Sequence, residues 1–227
     1  MSTPNSKKLT RKRRTNVERT AETRGRLIDA SIELLYEEGY SATTTISVAE
    51  RAGVSRGAMM HHFSSRADLL LTVAEHILAE QRRMRVQMLQ NAGHGLDRFF
   101  AAADVSWAVQ RQPSSIAFLE IIMGSRSDAE IRQGMQPLIE LMPKMRQQAA
   151  ERMADDLPTK EVAQINTLLR LHLAALRGLA IELMFTRDAS DVEAARKLLV
   201  QYERTFVQEL VLGRKGRKPA AKTVRKK

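Results

Sequence analysis

From Leu27 to Leu210 the apolar residues recur at intervals of three and four, and no stretch alternates in the manner of a half-buried strand. That spacing leaves one fold class: all-α, with helices packed on helices. Ile28, Ile32 and Leu35 mark the inner face of a first helix that starts between Val17 and Thr23 and stops at Gly39, a residue suited to the left-handed turn after a helix. Thr43, Thr44 and Thr45 offer N-cap hydroxyls to a short helix over 46–52. Gly53 ends it, and a second short helix follows over 56–63. Ser64 or Ser65 then caps a long helix to about Gln90. Further helices are expected over 96–111, 114–124, 128–155, 159–186 and 189–211. Pro113 and Pro158 fit boundaries, whereas Pro137 and Pro143 require the 128–155 helix to be kinked or to be two helices.

Charge divides the chain more sharply than hydropathy does. The formal net charge is +11, yet residues 1–26 carry nine basic groups against Glu18 and Glu22, and residues 213–227 carry eight against none. What lies between is slightly acidic. Two cationic ends on an acidic body point to a polyanionic partner. Residues 1–16 and 213–227 have no apolar periodicity and are expected to be basic, disordered tails. The chain has no cysteine, which excludes disulfides, thiolate zinc sites and cysteine nucleophiles. No apolar run approaches the roughly 18 residues of a membrane helix, and the basic N-terminus lacks the apolar core of a signal peptide. No membrane association is expected, and the expected location is the cytoplasm.

The two short helices joined by Ala52-Gly53-Val54-Ser55 form a helix-turn-helix pattern. Val48 and Ala49 face inward, with Ala49 small enough for a close crossing. Gly53 supplies a positive φ, Val54 fills the corner and Ser55 caps the second helix. Residues 24–75 hold Gly39-Tyr40-Ser41-Ala42-Thr43-Thr44, then Val48 through Gly57, His61-His62-Phe63, and Phe63 through Leu70. Together these resemble the DNA-binding domain of TetR-family transcriptional regulators. The resemblance implies a helix-turn-helix domain over 17–65, followed by a helical domain over 66–212 that binds ligand and dimerises through a four-helix interface.

The residues support roles of their own. Arg56 opens the recognition helix, where a guanidinium can address guanine O6 and N7 in the major groove. Gly57 and Ala58 permit close approach, and Ala58 can touch a thymine methyl. Thr44, Thr45 and Ser55 stand at helix N-termini, where hydroxyls and backbone N–H groups suit phosphate oxygens. Arg66 is expected to hold another phosphate, while His61 and His62 complete the DNA-facing set. Many members of the family carry tyrosine where this chain has Met60 and His62. Methionine donates no hydrogen bond, so no phosphate contact is expected at Met60, whereas His62 keeps a donor in either charge state. No metal is expected at His61 and His62, because adjacent helical residues point about 100° apart and no carboxylate lies three or four positions away.

The tails pose their own alternatives. Lys12, Arg13 and Arg14 are suited either to the minor groove or to non-specific affinity, and both readings stand. The C-terminal Gly216-Arg217-Lys218-Pro219 is similar to an AT-hook but departs from its Arg-Gly-Arg-Pro core. A solvated polycation is the favoured reading there.

Signals in the body are weaker. Phe100, Trp107, Phe118, Met123, His172, Arg177 and Met184 are the candidates for lining a pocket for a partly apolar small molecule, although such residues at helical spacing equally make plain core. Leu168, Leu171, Ala175, Leu179 and Leu183 form one stripe; Leu198, Leu199, Tyr202, Phe206 and Leu210 form another. Two such helices can build a bundle with their two-fold copies. The expected function is a homodimeric, sequence-specific regulator, a repressor released from a palindromic operator on double-stranded DNA by its ligand, with no cofactor. The alternative is an architectural protein that coats DNA through its basic arms. An enzyme is the poorest reading, since Glu120, His172 and Arg177 show no spacing that favours acid–base chemistry over ion pairing.

Overall fold

The structure, a computed structural model, describes residues 16–212. Among these the chain is helical throughout: α1 (Asn16–Glu37), α2 (Thr45–Arg51), α3 (Arg56–His62), α4 (Arg66–Met88), α5 (Gly95–Gln110), α6 (Pro113–Gly124), α7 (Ala129–Asp156), α8 (Val162–Glu182) and α9 (Ser190–Val211). Residues 1–15 and 213–227, and with them Lys12, Arg13, Arg14 and the AT-hook-like stretch, lie outside the described residues, while Asn16, expected in the N-terminal tail, opens α1. No helix among the described residues is long and apolar enough to cross a membrane.

Local chemistry explains most boundaries. Glu38 and Gly39 both donate to the Leu34 carbonyl, and Gly39 takes φ 83°, so α1 ends in the left-handed turn that its glycine allows. Ser65 is the N-cap of α4, its hydroxyl accepting from the Asp68 N–H, while Asp68 accepts from the Ser64 N–H in return. Pro113 occupies the first turn of α6, where its missing N–H costs nothing.

The 128–155 expectation left two forms open. α7 is one helix, not two, and both prolines lie inside it. They fall between its two anchored ends: Ile131 and Met135 are buried in one hydrophobic cluster, Ala150 and Ala154 in another. Packing at both ends carries the helix across two missing backbone donors.

Three apolar clusters organise the interior. The first joins Leu27, Leu35, Val48, Met59 and Phe63 of the N-terminal helices to Val73 and Ile77 of α4, Phe118 and Ile121 of α6, and Met135 of α7. The second gathers Phe99, Ala150, Ile165 and Val207 from α5, α7, α8 and α9. The third, smaller, holds Trp107, Leu176, Ala180 and Val192.

Candidate nucleic-acid interface

α2 and α3 meet through a turn that satisfies its own backbone. The Gly53 N–H donates to Glu50 O at 3.1 Å and the Val54 N–H to Ala49 O at 2.9 Å, with Gly53 at φ 62°. Val48 and Ala49 are buried on the inner face of α2, and Met59 on that of α3. Each helix has a side-chain cap. Thr44 and Ser47 form a reciprocal capping box, with the Ser47 N–H donating to Thr44 Oγ1 at 3.1 Å and the Thr44 N–H to Ser47 Oγ at 2.9 Å. Ser55 Oγ accepts from the Ala58 N–H at 3.2 Å. Replacing Ser55 by alanine is expected to cost about 1 kcal/mol, measured as a fall in the chemical-denaturation midpoint.

Capping leaves α3 free to present its outer side. Arg56 is exposed and makes no hydrogen bond or ion pair with the described residues; Gly57 and His61 are exposed beside it, and Ala58 and His62 are half-buried. Thr45 is half-buried in the first turn of α2. The rings of His61 and His62 meet edge to face, with centroids 5.6 Å apart. Burial, then the neighbouring His61 and Arg24, lower the pKa of His62, which favours the neutral ring with a single donor.

Arg24, which the sequence left without a role, stacks on Phe63 at 4.5 Å and donates to the His62 carbonyl and to Thr72 Oγ1, both at 3.4 Å. It ties α1 to the C-terminal end of α3 and to α4. Arg51 locks α2 to α1 in the same way, with Glu37 at 2.8 Å, Glu38 at 2.9 Å and Glu33 at 3.6 Å. The helix-turn-helix is thus braced from behind, and its outer side keeps Arg56 uncommitted.

Residues 27–73 match the family described as "Bacterial regulatory proteins, tetR family". The HTH-type transcriptional regulator CymR of Pseudomonas putida is 29% identical over 209 residues, an alignment that spans 85% of this chain and 95% of that protein. Residues 27–73 are thus a TetR-family domain, in a chain that is similar to a transcriptional regulator over most of its length. The same fold is found in a TetR regulator from Chloroflexus aurantiacus (TM-score 0.66, 20% identity, 82% of this chain and 96% of that one). It is found again in a transcriptional regulator from Saccharomonospora viridis solved with choline (TM-score 0.63, 16% identity, 83% and 96%). The TetR-family chain described here is accordingly a DNA-binding regulator rather than an enzyme.

In this TetR-family regulator Arg66 takes a different post from the phosphate contact expected of it. Its Nε donates to Thr43 O at 2.7 Å and one Nη to Tyr40 O at 2.6 Å; the other Nη lies 3.6 Å from Asp128 Oδ2, and the guanidinium stacks on the Tyr40 ring at 4.1 Å. Held by the two carbonyls and by the Tyr40 ring, Arg66 fastens the α1–α2 turn to the head of α4.

Tyr40 is the centre of that junction. Its N–H donates to Glu120 Oε2 of α6 at 3.0 Å and its phenol to Asp128 Oδ2 at 3.0 Å. The ring lies against Gly124, where a Cβ would come within 2.3 Å of it. The Ile131 N–H holds the Asp128 carboxyl below the usual carboxylate range, helped by the Tyr40 hydroxyl and Arg66 and opposed by burial. Burial pushes the Tyr40 phenol up. The sequence showed Tyr40 as a motif residue, but its partners lie 80 and 88 positions away, beyond the reach of local spacing.

The seven pocket candidates do not converge on one cavity. Phe118 is buried in the first cluster beside the DNA-binding helices; Phe100 packs on the second under the Arg204 guanidinium at 4.7 Å; Trp107 belongs to the third. Met123 and Met184 are exposed, and Arg177 is half-buried. His172 is 3% exposed and faces Glu203 of α9, itself 4% exposed, in a buried side-chain contact that the sequence could not assign. Above this pair an open groove of about 650 Å³ runs between α8 and α9, walled by Leu168, Leu171, Leu199, Tyr202 and Phe206. Its rim is apolar and uncovered, with Leu171 63% and Tyr202 66% exposed.

Proposed function

We propose that this TetR-family chain is a homodimeric repressor that two copies of α3 seat on a palindromic operator and that a small-molecule effector releases. The observation that carries the reading is the braced helix-turn-helix with an uncommitted Arg56 at the head of α3. In it Arg56 reads a base pair. Gly57, Ala58, His61 and His62 fit the groove, and Thr44, Thr45 and Ser55 lie against phosphates. Lys12, Arg13 and Arg14 add affinity from the N-terminal arm.

The domain plan follows the same lines: residues 17–65 bind DNA, 66–212 bind effector and dimerise, and the work is done in the cytoplasm. The uncovered apolar rim of α8 and α9 supports dimerisation there, because a face of this kind is rarely left to water. A second copy laid on it sets two recognition helices at the spacing of successive major grooves. Choline held by a regulator of the same fold supports a small organic effector for this one. Effector binding then shifts the population of dimers whose α3 helices are out of register, and affinity falls by the coupling free energy.

Selection of bound duplexes from a random library tests the reading, with the full-length protein beside a chain trimmed to residues 17–212. Enrichment of one palindrome by both is the expected result. Enrichment of AT-rich duplexes by the full-length protein alone sinks the repressor and favours DNA coating by the arms. On the recovered operator, Arg56→Ala is expected to lose about 1–3 kcal/mol and to relax preference at one base pair per half-site. An equal loss on random duplexes instead makes Arg56 a phosphate anchor.

A further inference from the structure

α3 presents an apolar side chain on its outer side that no polar contact can use. Met60 is 47% exposed, whereas Met59 beside it is fully buried. Met60 stands one helical turn after Arg56, so the two project from the same side of the helix. Between them Gly57 leaves open space: nothing lies within 4 Å of the position that a Cβ would take. A thioether has no proton to donate and accepts weakly, so a phosphate oxygen gains nothing from it. It is also flexible and polarizable, and it gains most against another apolar group. Of the groups displayed on base edges in the major groove, the apolar one is the 5-methyl of thymine.

We propose that Met60 is a specificity residue that packs on the 5-methyl group of a thymine in each operator half-site, next to the base pair addressed by Arg56. The proposal rests on the reading of α3 as the recognition helix. It assigns the recognition surface two chemistries side by side, a cation for a purine edge and a thioether for a pyrimidine methyl. Gly57, lacking a side chain, lets the base edges come close enough for the thioether to reach.

Deoxyuridine supplies the test, because it pairs as thymine does and lacks only the methyl. Each thymine of the operator recovered by selection is replaced in turn, and binding is followed by fluorescence anisotropy with the full-length protein, its Met60→Ala variant and its Arg56→Ala variant. One thymine per half-site is expected to matter to the unaltered protein, by about fourfold per methyl removed. Met60→Ala is expected to bind the parent operator more weakly and to be indifferent to that replacement. Arg56→Ala, weaker overall, should remain sensitive to it. Met60 is exposed, so an unchanged melting temperature in Met60→Ala is the control for folding. Equal sensitivity of the unaltered protein and Met60→Ala overturns the proposal, as does a half-site in which no thymine responds. A selection that recovers no sequence at all removes the recognition-helix reading and this proposal with it, an outcome distinct from a palindrome that ignores Met60.

Discussion

Replacing His172 by leucine is expected to cost about 3–5 kcal/mol of stability, among the largest losses available to a single substitution in this chain. His172 and Glu203 are both almost wholly buried and face one another between α8 and α9. Removing the imidazole leaves the buried Glu203 carboxyl in an apolar setting without its partner, and its desolvation is then uncompensated. Leucine at both positions should recover most of the loss, because an apolar pair of similar volume has no charge to desolvate. Urea unfolding at fixed protein concentration measures both variants. A single variant that unfolds at the unaltered midpoint contradicts the account.

Gly124→Ala is the second large effect expected, and it acts at a different place. The added methyl would meet the Tyr40 ring at 2.3 Å, and the ring cannot step aside freely, since Arg66 stacks on it and Asp128 holds its hydroxyl. Forcing a methyl into such a contact costs roughly 1–3 kcal/mol. The consequence for DNA should exceed the consequence for stability. Tyr40 sits in the turn that feeds α2, and its displacement moves the helix-turn-helix relative to α6. In a Tyr40→Ala background, where the obstacle is gone, Gly124→Ala should be nearly silent. A double-mutant cycle read by both thermal unfolding and operator binding therefore isolates the contact. Additive effects of the two substitutions would falsify the steric explanation.

Local rules carried much of this structure. The cap at Ser64 or Ser65, which the structure resolves to Ser65, the glycine after α1 and the corner at Gly53 were legible because each depends on residues within five positions of one another. α8 was read too long at both ends, since Val162–Glu182 is flanked by turns that the apolar pattern does not mark. The prolines of α7 left one helix or two open for a related reason: the rule that proline breaks a helix is local, while the packing that carries it across comes from two separate clusters. Arg66 shows the same limit at a site. Its position at the head of a helix suggested a phosphate, and nothing nearby in the sequence announces the Thr43 and Tyr40 carbonyls that it donates to. The pocket candidates failed to converge because aromatic and methionine spacing records burial, and burial here is divided among three cores.

The first of those cores has a bearing on how such proteins can be recombined. Leu27, Val48 and Phe63 share it with Phe118, Ile121 and Met135, so the head and the body do not each own a finished interior. A chimera that cuts the chain after the third helix and grafts the head onto a foreign body would expose half of an apolar surface on either side of the seam. Exchange of operator preference between relatives is therefore easier by repainting the outward residues of α3 than by transplanting the head. A workable transplant must carry the inner face of α6 along with it.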